Sequence, residues 1–126
     1  MIFLDANILL EIALAGRPHA TEVQQFLKRI DDETAISMLS AHLVMHFGRK
    51  QQAEEAFLHA MLDQNELLAL TAADYEWAVD NEQGRDFEDA LQLAVAIRAQ
   101  CNMFVTLDRA LANRYAGLPI KIVIPD

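Results

Sequence analysis

A chain of 126 residues, 53% hydrophobic with four glycines and three prolines, is long enough for one domain with its own core, which excludes a disordered tail and a collagen-like or linker-dominated chain. Nineteen acidic against ten basic side chains give a formal charge of −9 and an isoelectric point near 4.7, the wrong sign for a protein that binds nucleic acid over its whole surface but suited to a basic partner protein. The lone Cys101 excludes an internal disulfide framework and points to a reducing, cytoplasmic setting, and no run reaches the roughly 18 apolar residues of a membrane span.

The first segment carries Asp5 and Glu11 and no basic lead, so it is expected to be mature structure and not an export signal. Ile2-Phe3-Leu4 reads as a short strand ending at Asp5, and Ile8 to Ala15 as a helix stopped by Gly16 and Pro18. Val23, Phe26, Leu27 and Ile30 recur at helical spacing, and Asp31-Asp32-Glu33 forms a polar turn. Thr34 to Ser37 is a weak strand, after which Ser40 is placed to cap a helix through Leu43, Val44 and Phe47. Gln51 to Leu62 predicts a helix with Ala53, Phe57, Ala60 and Met61 on one face, and Leu67-Leu68-Ala69-Leu70 a buried strand. Thr71 or Ala72 opens another helix, on which Tyr75 and Trp77 are expected to pack.

From Asp86 to Gln100 the pattern is apolar except for a narrow stripe at Glu88 and Gln92, which predicts a central, nearly buried helix. Met103 to Thr106 reads as a strand, Asp108 opens a short helix to Tyr115, Gly117-Leu-Pro turns, and Ile120 to Ile124 is the last strand. Short apolar strands alternating with helices favour an α/β fold with a parallel sheet covered on both faces, residues 1–126 forming one unit.

Ligand chemistry in such folds gathers at the carboxyl ends of the strands. Asp5 directly follows the first strand, and Asp108 stands two residues after the fourth. Asp89 lies in the first turn of the buried helix, where a carboxylate among apolar neighbours calls for a reason. Each alone is readily explained as a helix cap or a partner of the helix dipole. All three at one sheet edge repel one another and lose hydration, unless a divalent cation neutralises them. Magnesium or manganese takes such oxygen ligands, and the hydrolysis of a phosphodiester is the chemistry that suits it.

The segments Phe3-Leu4-Asp5-Ala6-Asn7, Phe87 to Ala96 and Phe104-Val105-Thr106-Leu107-Asp108 together resemble a PIN domain, in particular the VapC-like toxins of bacterial toxin–antitoxin pairs. The resemblance implies a five-stranded parallel sheet flanked by helices and a magnesium- or manganese-dependent endoribonuclease. It implies Asp5, Asp89 and Asp108 as the metal-site and catalytic acids, with Asn7 and Thr106 as supporting polar residues. It also implies a homodimer and inhibition by a small antitoxin that has a DNA-binding part.

One departure from that pattern stands out. The family usually carries a Glu on the helix after the second strand, yet no acid occurs from Thr34 to Gln52, and the expected position falls on Leu43 or His46. His46, with His42 four residues before it, is a candidate ligand for manganese or zinc, against the plainer reading of a surface histidine. A catalytically weakened PIN-like module that binds RNA or protein is therefore the alternative reading. Arg49, Lys50, Arg85, Arg109 and Arg114 are the bases nearest the motifs, either phosphate contacts or ordinary surface residues. A haloacid-dehalogenase-like phosphotransferase wants a second Asp two residues after Asp5, where this chain has Asn7.

Overall fold

Strand β1 (Ile2–Leu4) offers no polar side chain to water, and the fold buries it on both faces. In the computed structural model, which describes residues 1–126, β1 is the middle strand of a five-stranded sheet in the order β3-β2-β1-β4-β5. Its neighbours are β2 (Thr34–Ser37) and β4 (Met103–Val105); β3 (Glu66–Leu68) and β5 (Lys121–Val123) form the edges, and every pairing is parallel.

Alternation along the strands divides the core in two, because successive side chains point to opposite faces. Ile2, Leu4, Ile36 and Val105 face one layer, built from α1 (Ala6–Ala13), α2 (Ala20–Arg29), α3 (Met38–Lys50) and α4 (Glu55–Asp63). Phe3, Ala35 and Phe104 face the other, built mainly from α6 (Phe87–Arg98) and α7 (Arg109–Arg114), with Trp77 of α5 (Ala72–Asn81) at its margin. Phe3 and Phe104, paired in register, stack with ring centroids 5.3 Å apart. Helices thus cover both faces, as the alternation of strands and helices led us to expect, and none is long and apolar enough to cross a membrane.

Four local expectations change. Ser37, not Ser40, caps α3: its Oγ accepts from the Ser40 N–H at 3.1 Å, so the helix begins directly after β2. Residues 51–54 are a turn outside α4, with Gln52 at φ +58; Leu58 enters the core while Phe57 stays exposed. Strand β3 is not buried, since an edge strand lacks a second neighbour, and Leu67 remains 51% exposed. Tyr75, expected to pack, is 57% exposed with its ring edge-on to Phe87.

Helix α6 is central and largely buried, as its apolar pattern predicts. The two members of its polar stripe part company, for Gln92 is fully buried: Nε2 donates to Ser40 Oγ at 2.8 Å, and Oε1 accepts from Ser37 Oγ at 2.6 Å. This closed polar network fixes α6 against the carboxyl end of β2 and the first turn of α3, and with it the level at which Asp89 stands, one turn before Gln92.

Candidate metal and catalytic site

Leu4 and Val105 are register partners on adjacent parallel strands, so the residues that follow them emerge side by side at the same sheet edge. Asp5 caps α1, its Oδ1 accepting from the Ala6 N–H at 2.8 Å, and is only 4% exposed. Its Oδ2 accepts from Thr106 Oγ at 2.8 Å and, at 3.4 Å, from Asn7 Nδ2. Asn7 ties the loop together: Nδ2 also donates to Thr106 Oγ at 3.0 Å, and Oδ1 accepts from the Leu107 N–H at 3.1 Å. Thr106 Oγ in turn accepts from the Asp108 N–H at 3.1 Å, and Asp108 caps α7 through the Leu111 N–H. Asp5, Asn7, Thr106 and Asp108 are therefore one hydrogen-bonded unit, although roughly a hundred residues separate its halves.

Asp89 enters from α6. Asp86 caps that helix, accepting from the Asp89 N–H at 3.2 Å, and the Asp89 carboxylate is buried, with Oδ2 accepting from Arg114 Nη2 at 3.2 Å. The acids act on one another through their charges. Burial pushes Asp5 up to about 6 against the opposing bonds from Thr106 and Ala6, with the charges of Glu88 and Asp108 adding to the rise. Burial also raises Asp89 to about 8, reinforced by its contact with Asp86 and by the charges of Asp5, Asp86 and Asp108. One arginine does not offset that many like charges. Glu88 is raised by desolvation and by Asp86.

Asp5, Asn7, Thr106 and Asp108 are thus linked by hydrogen bonds, and Asp89 is close enough to feel the charges of Asp5 and Asp108. His46 stands apart: it is exposed on α3, its ring centroid 6.0 Å from that of His42 and 5.1 Å from that of Phe47, in a shallow cleft with Met45, Arg49 and Lys50 that no site acid lines. The acids do not close on one point as a coordination shell, and no three His, Cys, Asp or Glu side chains do so anywhere in the chain. Their chemistry nevertheless fits a hard divalent ion, being all-oxygen, anionic, partly dehydrated and short of positive charge. Sequence reasoning missed the buried Gln92 network; the signal was an amide on an otherwise apolar helix.

Residues 1–110 match the family model described as the PIN domain. The chain belongs to the PIN-domain family. Solved structures share the fold of this PIN domain across nearly all of both chains. One is a toxin–antitoxin complex from Klebsiella pneumoniae, with a TM-score of 0.77 and 24% identity over 100% of this chain and 98% of the other. Another is VapC20 from Mycobacterium tuberculosis, described as a sarcin–ricin loop cleaving toxin, with a TM-score of 0.75 and 16% identity over 94% and 96%. A third is VapBC2 from Rickettsia felis bound to a promoter DNA fragment, with a TM-score of 0.68 and 17% identity over 100% of both chains. A search of curated protein sequences returned no match.

Proposed function

We propose that this PIN domain, residues 1–126 acting as one unit, is an endoribonuclease that hydrolyses RNA phosphodiesters with magnesium or manganese held by Asp5, Asp89 and Asp108. The observation that carries the reading is the convergence of acids from β1, α6 and the β4–α7 loop, two of them buried and raised well above the ordinary carboxylate range. When bound, a divalent cation would neutralise these acids and supply Lewis acidity at a phosphodiester. The chain's own residues prepare the place: Thr106 and Asn7 fix the Asp5 carboxylate, the Gln92 network sets the height of Asp89, and the cap on α7 orients Asp108.

The role we infer is that of the toxin in a toxin–antitoxin pair, as the toxin and toxin–antitoxin complexes that share its fold suggest. The charge of −9 suits a basic antitoxin, and an apolar groove lined by Leu9, Ile12, Leu27, Ile30, Phe57 and Met61 offers it a seat. Exposed Tyr75 and Val79, one turn apart on α5, support a homodimer. A weakened or non-catalytic module is the second reading, favoured by α3, which brings no acid to the site and leaves His42 and His46 in solvent.

Purified protein incubated with RNA and manganese, beside Asp5→Asn and Asp89→Asn, tests the first reading. Cleavage is expected from the parent and at least about a hundredfold less from either variant. Equal cleavage by all three removes the assignment, and cation binding without cleavage by the parent selects the second reading.

A further inference from the structure

Arg114 is the one basic side chain paired with a site acid; Arg17, Arg49 and Arg98 are engaged elsewhere, by Glu11, Glu55 and Asp74. Its hold on Asp89 is a single hydrogen bond, Nη2 to Oδ2 at 3.2 Å. The Nε–H is buried and has no acceptor, so a group with five donors sits at the acids with its capacity largely unused. The chain entering α6 passes directly over its stem. A Cβ added at Gly84, whose φ is +78, would lie 3.2 Å from Arg114 Cδ and 3.3 Å from Nε. Glycine at that position therefore serves both the left-handed turn and the seating of this side chain.

RNA approaching the site meets Asp5, Asp86, Glu88, Asp89 and Asp108 on a chain of net charge −9. A phosphate placed there gains from a protein cation at close range, and the planar guanidinium fork matches phosphate oxygens better than an ammonium does. We propose that Arg114 is the phosphate-holding side chain of the site, resting on Asp89 in the free protein and turning its unused donors to a phosphate oxygen of bound RNA. The inference rests on the ribonuclease reading for its ligand. The competing role, a structural counter-ion for Asp89, is an outcome of the test.

A labelled single-stranded RNA is titrated in manganese with Asp108→Asn protein, chosen to spare the RNA while an asparagine still caps α7. Arg114→Met and Arg114→Lys are compared on that background over a salt series. Arg114→Met is expected to bind about tenfold more weakly, as for one lost charge-assisted bond. The slope of log Kd against log salt should also become shallower by about 0.7, the contribution of one phosphate contact to a single strand. Arg114→Lys should restore the slope and only part of the affinity. Unchanged affinity and slope in Arg114→Met, or no RNA bound by any form, overturns the proposal; should that variant not fold, Arg114→Lys must still lose affinity at constant slope. Failure of the nuclease reading shows separately, as binding that responds to Arg114 in a protein whose parent cuts no RNA.

Discussion

At the scale of single residues, Thr106 decides how the Asp5 carboxylate is presented. Its hydroxyl donates to Asp5 Oδ2 and accepts from the Asp108 N–H, so one oxygen links two site acids. Thr106→Val keeps the shape and removes both bonds together with the one accepted from Asn7 Nδ2. We expect a loss of ten- to a hundredfold in cation affinity or cleavage, in the manner of outer-shell partners of metal ligands, read by manganese titration and initial rates. Asp5 itself was legible because a carboxylate directly after an apolar strand is conspicuous. Gln92 was not, since an amide on a helix has the same pattern whether it meets water or, as here, two serine hydroxyls from a distant segment. Replacing Gln92 with Leu strands the Ser37 and Ser40 hydroxyls in the core and should cost about 1–3 kcal/mol in urea unfolding.

At the scale of elements, the packing of α5 on α6 is tied by one ion pair. Asp74 is buried and belongs to the capping box of α5; Arg98, near the end of α6, donates to both its carboxylate oxygens at 2.9 and 3.1 Å and to the Ala69 carbonyl at 2.6 Å. Desolvation works against ionisation of Asp74, but the bonds from Arg98 and Thr71 outweigh it and hold the carboxyl below its ordinary range. A lowered folded-state value means that the pair's stabilisation is complete above the ordinary carboxylate range and disappears as pH falls through the lowered one. Arg98→Met should therefore cost about 2–3 kcal/mol at neutral pH and progressively less in strong acid, as measured by denaturation at several pH values. Helix and strand types were legible from periodicity, whereas the order of the strands was not. The exposure of β3 follows from its edge position, and no pattern within Leu67 to Leu70 encodes which strand lies outermost.

At the scale of the whole molecule, the fold assembles like charges at one sheet edge and leaves Arg114 as their only basic partner. Asp5 and Asp89 have folded-state values raised to about 6 and about 8, so across that window the folded chain holds protons that the unfolded chain has already released. Stability without a cation must then fall as pH rises from the ordinary carboxylate range through those two values. The converse is that Asp5→Asn and Asp89→Asn should melt higher than the parent at pH 8 in the absence of metal, while losing function.

A thermal unfolding series with and without manganese, at pH 5 and pH 8, on the parent and Asp89→Asn, reads the shared-cation claim most directly. Manganese should raise the parent's Tm in a saturable way, strongly at pH 8 and weakly at pH 5 where protons compete for the same oxygens, and should leave Asp89→Asn nearly unmoved. A parent whose Tm ignores manganese at both pH values, or an Asp89→Asn variant that responds just as the parent does, contradicts a cation site built on these three aspartates.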